Sequence, residues 1–168
     1  MRGGWGYDTA LVDGPIDRLL GVERTRIDHD LAIWHHATAD ASTSMGPPIA
    51  AFDGRVDDSW NSGGYPSHWL EVDLGRPAAV ARVVLVAPEL PAGATFMLLG
   101  RAATADAFRL LYVFKGPTAD LQRIDYSPKS PWHGIRYVRL VVPVSRAPMP
   151  WVSWRELELY GPTCWPGM

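Results

Sequence analysis

The sequence of 168 residues is poor in cysteine, has no excess of charge of one sign and contains no long apolar run. Its single cysteine, Cys164, excludes an internal disulfide and a metal site built on several cysteines. The net charge of −2 lacks the basic excess that is typical of nucleic-acid-binding domains. No apolar stretch approaches the roughly 20 residues that span a bilayer, and the first residues show no apolar signal-peptide core. We therefore expect no nucleic-acid partner and no transmembrane segment.

The chain is rich in proline and tryptophan, with 15 and 8 residues respectively. Prolines at this density disfavour long helices, because each one lacks an N–H and blocks helix continuation. Apolar residues recur with strand-like patterns between turn residues, and residues 75–77 are predicted as a turn. The sequence therefore predicts an all-β fold, an antiparallel jelly-roll-like β-sandwich of about eight strands. Its main strands are predicted at 70–74, 80–86, 95–99, 108–114, 121–126, 135–142 and 154–160.

Composition divides the chain into three parts. Residues 1–28 are predicted to be an arm or linker, with a possible short helix at 15–20 after Gly14. Residues 29–161 form the predicted sandwich, and residues 162–168 a C-terminal tail. Cys164 in that tail is either an incidental or a reactive thiol, and the sequence leaves both interpretations open.

Four short motifs follow one another in a specific order. They are A-x-D-G-x-x-x-D-x-W at 51–60, W-L-x-V-D-L-G at 69–75, R-Y-V-R-L at 136–140 and E-L-x-L-Y-G at 156–161. In combination they resemble the discoidin, or coagulation factor type C, family, over roughly residues 30–161. This family includes galactose-binding-like modules that are appended to many bacterial glycosidases and oxidases. The resemblance implies a non-catalytic binding module.

The first motif places Asp53, Asp57 and Asp58 within six residues. Three neighbouring carboxylates repel one another unless a cation or solvent compensates them, so the residues alone allow either a calcium site or solvated turn caps. The resemblance favours structural calcium, with side-chain ligands from Asp53, Asp58 and Glu156. It adds carbonyl ligands from Ala50, Arg55 and Arg155. The family usually has threonine or serine where this chain has Asp58, which keeps an oxygen ligand and adds charge.

The resemblance also implies that a ligand binds to loops at one end of the sandwich. Aromatic and polar loop residues can stack on sugar rings and bond their hydroxyl groups. This chain departs from the galactose-binding pattern in two places, with Asn61 where relatives carry histidine and Glu89 near a usual arginine. Trp60 is interpreted as a core residue rather than a ligand platform. The candidate ligand-binding residues are Asn61, Tyr65, His68, Glu89, Trp132 and Trp151.

Other polar residues are interpreted as structural. His35 and His36 are adjacent near the first strand, where successive side chains point to opposite faces and cannot readily share a metal. Arg136 and Arg139 flank a buried strand pattern and are predicted to support it.

No nucleophile elbow, zinc-protease motif or phosphate loop is present in the sequence, so we do not expect an enzyme. The resemblance favours carbohydrate or glycoconjugate binding outside the cytoplasm, although no signal peptide is visible. The alternative is an accessory subunit that docks through its loops and terminal arms onto a larger, possibly membrane-associated, protein assembly. The sequence does not choose between these two partners.

Overall fold

The computed structural model describes residues 30–87, 95–143 and 151–162. Nearly all regular structure in these ranges is antiparallel β-strand, which confirms the all-β prediction. One short helix, α1 (Leu31–Trp34), and one 3-10 turn (Pro48–Ala51) accompany the strands. The strands are β1 (Thr38–Ala41), β2 (Trp60–Asn61), β3 (His68–Val80), β4 (Arg82–Val86), β5 (Thr95–Arg101), β6 (Arg109–Lys115), β7 (Arg123–Tyr126), β8 (Trp132–Val142), β9 (Ser153–Trp154) and β10 (Glu156–Tyr160).

The strands form a five-stranded sheet in the order β1-β3-β8-β5-β6 and a three-stranded sheet in the order β10-β4-β7. A two-stranded ribbon, β2-β9, lies at one end. Alternate residues of both larger sheets, such as Leu70, Leu98, Leu85 and Leu157, belong to one buried cluster. The architecture is therefore a β-sandwich, as predicted. No helix among the described residues is long and apolar enough to cross a membrane.

The turn predicted at 75–77 is wrong, because β3 continues through it. Pairing between β3 and β8 changes register between Asp73 and Ala78, which marks a bulge rather than a reversal. Gly75 sits at this irregularity with a φ of 74°, a conformation that glycine adopts without steric cost.

The last predicted strand is interrupted at Arg155 and becomes β9 and β10. Both glutamates of β10 are buried, since Glu156 and Glu158 are 0% and 2% exposed. Glu158 is compensated by Arg123 at 2.7 Å and by the Tyr160 hydroxyl at 2.8 Å. Burial of the Glu158 carboxylate is therefore offset by an ion pair and a hydrogen bond.

Asp30 joins the start of the described domain to its last strand. Its carboxylate accepts hydrogen bonds from the backbone N–H of Ala32 at 2.8 Å and of Leu159 at 3.2 Å. Its backbone forms an isolated antiparallel bridge with Tyr160. Burial, and then the charge of Glu158, raises the pKa of Asp30 to about 7 despite these bonds.

The two histidines follow α1 and do not lie in a strand, so their predicted placement on opposite strand faces is wrong. His35 forms a hydrogen bond through Nδ1 with the Leu74 carbonyl at 3.1 Å and accepts one from Arg76 at Nε2. His36 has a φ of 51°. The contacts of His35 agree with the structural role predicted for it.

The two arginines of β8 each have a carboxylate partner in the five-stranded sheet. Arg136 binds Asp73 through two bonds of 2.7 and 2.8 Å, and Arg139 binds Glu71 at 2.9 Å. Arg139 also lies 4.0 Å from the ring centroid of Trp69. These contacts support the prediction that both arginines are structural.

Candidate functional site

The β2-β9 ribbon organises one end of the sandwich. Trp60 pairs with Trp154, and their rings stack at 5.2 Å with an interplanar angle of 9°. Both side chains are fully buried, so the interpretation of Trp60 as a core residue is correct. The stacked pair lies where the loops next to β2 and β9 leave the sandwich.

Two loop segments meet directly beyond this ribbon. The backbone N–H of Ser62 donates to the Val152 carbonyl at 2.8 Å, and the Val152 N–H donates to the Ser62 hydroxyl at 3.1 Å. Asn61 precedes Ser62 and Trp151 precedes Val152, so these bonds place Asn61 and Trp151 on adjacent segments. Asn61 accepts a bond from the Gly63 N–H through Oδ1 at 2.8 Å, which leaves its amide nitrogen with no partner in the described chain. That nitrogen can donate to a ligand.

Tyr65 lies on the loop that leads into β3, and His68 is the first residue of that strand. The Nδ1 atom of His68 is 2.9 Å from the Ser42 hydroxyl, which fixes the ring. Its Nε2 atom lies 3.0 Å from the position that a Cβ on Gly64 would occupy, so the ring lies against this backbone. The Tyr65 side chain is 73% exposed and Trp151 is 37% exposed. We call Asn61, Tyr65, His68 and Trp151 the loop cluster.

Trp132 does not belong to the loop cluster, so its assignment to the same ligand site is wrong. In the pairing of β3 with β8, Val80 faces Trp132 whereas His68 faces Val142. The length of β8 therefore separates Trp132 from His68, by roughly 30 Å for eleven extended residues. Trp132 instead stacks on Tyr126 at 6.0 Å. Sequence order alone could not show at which end of the sheet this residue lies.

Three other predictions fall on residues outside the described ranges. These are the ligand role of Glu89, the arm at 1–28 and the thiol of Cys164.

Met45 is a neighbour of the loop cluster that the sequence interpretation missed. Its side chain is 77% exposed, and it lies beside Gly63, where an added Cβ would be 2.6 Å from its Cγ. Its backbone N–H donates to the Asn61 carbonyl at 2.9 Å. A lone apolar residue within the run Ser-Thr-Ser-Met-Gly-Pro-Pro was the available signal.

The acidic loop at 53–58 contacts the last strands, as the resemblance implied. The Gly54 N–H donates to Oε1 of Glu156 at 3.2 Å, and Arg155 donates to the Val56 carbonyl at 3.0 Å. Asp53 accepts a bond from the Arg55 N–H at 2.9 Å, and Asp57 pairs with the Arg55 side chain at 2.8 Å. Asp57 is thus compensated by an arginine.

Glu156 has the most unusual environment in this region. This residue is fully buried, and its Oε2 atom has no hydrogen-bond partner among the described residues. Burial raises its pKa to about 9, and the charges of Asp30, Asp53 and Glu158 act in the same direction. Partial loss of hydration raises the pKa of Asp53, which is an exposed residue, and the charge of Asp58 acts in the same direction. An orphaned buried oxygen next to further acids is what an added cation would relieve.

The donor chemistry fits a hard cation such as calcium, which binds carboxylate and carbonyl oxygens. Within the described ranges no three His, Cys, Asp or Glu side chains form a metal site on their own. Asp53, Asp58 and Glu156 therefore do not constitute such a group without rearrangement or further ligands. Ala50 and Arg155, two of the predicted carbonyl donors, are buried, while Arg55 is exposed. The calcium set stays a prediction.

Comparison with known proteins shows what the chain is similar to. The model of the F5/8 type C domain matches residues 36–98. No curated protein sequence matches the chain.

Solved structures of carbohydrate-binding modules share the fold. Chitosan-binding module 1 of a chitosanase/glucanase from Paenibacillus sp. IK-5 is 28% identical, with a TM-score of 0.64, and the match covers 79% of this chain and 98% of that one. The family 32 module of NanJ from C. perfringens, solved with galactose, is 15% identical, with a TM-score of 0.64 and the same coverages. A fucolectin from striped bass serum, Morone saxatilis, is 18% identical, with a TM-score of 0.66, and the match covers 79% of this chain and 48% of that one.

These findings confirm the resemblance that the motifs suggested: the chain carries an F5/8 type C, or discoidin, match within a galactose-binding-like β-sandwich.

Proposed function

We propose that this protein is a non-catalytic carbohydrate-binding module whose ligand binds at the loop cluster. The observation that carries the proposal is the pair of bonds between Ser62 and Val152, which brings the Asn61 segment next to the Trp151 segment. The side chains of Tyr65 and Trp151 are exposed on these segments, the Asn61 amide nitrogen has no partner among the described residues, and the His68 ring is held by Ser42. Aromatic faces can stack on a sugar ring while the polar groups bond its hydroxyls. The similarity to modules described as binding chitosan and galactose supports this choice. A place outside the cytoplasm is part of the proposal.

Replacing Tyr65 or Trp151 with alanine is expected to weaken sugar binding at least about tenfold, since each loses a contact worth about 1.4 kcal/mol. The measurement is calorimetric titration with chitosan oligosaccharides and galactosides, after a glycan array has ranked them. Trp34→Ala is the matched control, because Trp34 is 61% exposed and lies away from the loop cluster. It is four residues after Asp30, which pairs with Tyr160 at the end of β10 remote from β9. Equal affinities in all variants, or an array with no hits, would reject the loop cluster as a sugar site.

A structural calcium ion is a second part of the proposal. Glu156, Asp53 and Asp58 would supply carboxylate oxygens, and Ala50, Arg55 and Arg155 would supply carbonyl oxygens. The orphaned Oε2 of Glu156 supports it. Calcium would neutralise the crowded acids and hold the 53–58 loop against β10.

Glu156→Gln is expected to abolish calcium binding while leaving the apo domain folded, because glutamine keeps an acceptor for the Gly54 N–H and matches the neutral carboxyl that burial favours. Calorimetry and thermal melting of chelated protein, with and without calcium, provide the measurement. Asp57→Asn is the control, since Asp57 pairs with Arg55 and lies outside the proposed ligand set. A wild-type protein that shows neither heat nor a melting shift with calcium would contradict the site.

Docking onto a protein assembly is the second candidate function. The exposure of Met45 favours it, because a flexible apolar side chain suits a protein interface better than a sugar site. The same glycan array distinguishes the two, since sugar hits that depend on Tyr65 argue for the module and against docking through these loops.

A further inference from the structure

A concave surface lies at the end of the five-stranded sheet opposite the loop cluster. It is a groove of about 320 Å³ between the β5–β6 connection and the start of β8. Its lining includes Gly100, Arg101, Asp106, Arg109, His133 and Gly134, and we call it the distal groove. Because His133 follows Trp132, the length of β8 separates this groove from His68.

Arg109 presents an uncompensated charge in the distal groove. Its side chain donates through Nη2 to the His133 carbonyl at 3.0 Å, which orients the guanidinium group. No carboxylate of the described chain lies within 4.0 Å of it, whereas Arg55, Arg82, Arg123 and Arg136 each have one. An oriented guanidinium group with no carboxylate partner among the described residues is suited to a bidentate oxyanion.

Arg101 forms a rigid wall of the same groove. Its guanidinium carbon lies 4.3 Å from the ring centroid of Phe108 and 4.9 Å from that of Tyr137. It donates to the Thr104 carbonyl at 2.8 Å, and Glu71 lies 3.4 Å away. Glu71 therefore offsets the charge of Arg101, and Arg109 is the group left to attract an anion.

Asp106 adds an acceptor to the groove. Its Oδ2 accepts a bond from the Ala103 N–H at 2.9 Å, which fixes the carboxylate within the β5–β6 connection. Gly134 leaves open space, since an added Cβ there would meet nothing within 4 Å. The groove therefore combines an oriented cation, a fixed carboxylate and room beside them.

We propose that the distal groove binds a uronic acid residue of an acidic polysaccharide, independently of the loop cluster. The sugar carboxylate would lie on Arg109, and ring hydroxyls would donate to Asp106. A bare inorganic anion lacks such donors and would be repelled by Asp106. No Trp, Tyr or Phe lines the described groove, so charged hydrogen bonds rather than ring stacking would select the ligand. The volume is that of a small ligand site.

The test is an NMR amide-shift titration of the full chain with trigalacturonate, up to about 10 mM, where millimolar affinities register. Saturable shifts are expected at Ala107, His133 and Gly134. Arg109→Gln should weaken binding at least about tenfold, because a charge-assisted bidentate contact is lost. Lys115→Gln, which removes a cation from the other end of β6, should leave it unchanged. Tyr65→Ala should also leave it unchanged, which separates this site from the loop cluster.

Inorganic sulfate is titrated in parallel and is expected to bind much more weakly than trigalacturonate, because it has no hydroxyl group to donate to Asp106. Absent shifts with trigalacturonate, an unchanged affinity of Arg109→Gln, or equal binding of inorganic sulfate would each overturn the proposal.

Discussion

Raising the pH from 5 to 8 is expected to lower the free energy of unfolding by about 2–3 kcal/mol through Asp30 alone. The pKa of Asp30 is raised from 3.8 to about 7 in the folded domain, so the folded state holds a proton that the unfolded state has released. The stability that this proton contributes is present at acidic pH and is lost as the pH rises through about 7. Urea unfolding at a series of pH values measures the slope.

Asp30→Asn isolates this contribution. Asparagine is as good a helix N-cap as aspartate and carries no ionisable proton, so the variant should show a flatter pH profile than wild type. Glu156 titrates in the same direction, which is why the difference between the two proteins, rather than either slope, is the readout. Asp40→Asn, at an exposed aspartate of β1, should retain the wild-type profile. Parallel profiles for wild type and Asp30→Asn would show that Asp30 does not cause the effect.

Trp154→Ala is expected to destabilise the domain by about 3–5 kcal/mol, the range for removing a large buried aromatic side chain. The substitution removes the stack on Trp60 and the edge contact with Phe96 at 6.1 Å. Because the β2-β9 ribbon carries the loops, sugar binding should fail even where the variant remains folded. Urea unfolding measures the first effect and calorimetry the second.

Two controls accompany this substitution. Trp34→Ala removes an exposed tryptophan and should change stability by less than about 0.5 kcal/mol. Trp154→Phe should cost less than Trp154→Ala, because it keeps an aromatic ring and removes a buried indole N–H that has no partner in the part of the chain that the structure describes. A Trp154→Ala variant as stable as Trp34→Ala would show that the stack does not support the ribbon.

The sequence predicted the strands well where an apolar segment is bounded by turn residues. Residues 135–142 read as a strand because β-branched and aromatic side chains recur, and β8 covers them. It failed at Gly75, since a glycine two residues before a proline signals a turn and a bulge equally well. It also failed to show that Glu158 is buried, because its partners Arg123 and Tyr160 are determined by strand pairing rather than by local pattern.

The candidate site was predicted in part for the same physical reason. Asn61, Tyr65 and His68 are close in sequence, so one loop keeps them together. Trp151 joins them only through the pairing of β2 with β9. Trp132 is an aromatic loop candidate like the others, but it lies at the far end of β8. No sequence pattern marks Arg109, because its significance depends on the absence of a carboxylate partner among the described residues.

The bridge between Asp30 and Tyr160 brings the two ends of the described domain side by side, at the far end of β10 from the β2-β9 ribbon. Such a geometry permits the domain to be inserted into the surface of a host protein at a single attachment point, with little distortion of either partner. It also makes the molecule suitable for circular permutation, in which a short peptide joins the old ends and new ones open elsewhere. In an inserted domain the β2-β9 ribbon would lie at the end that faces away from the host protein.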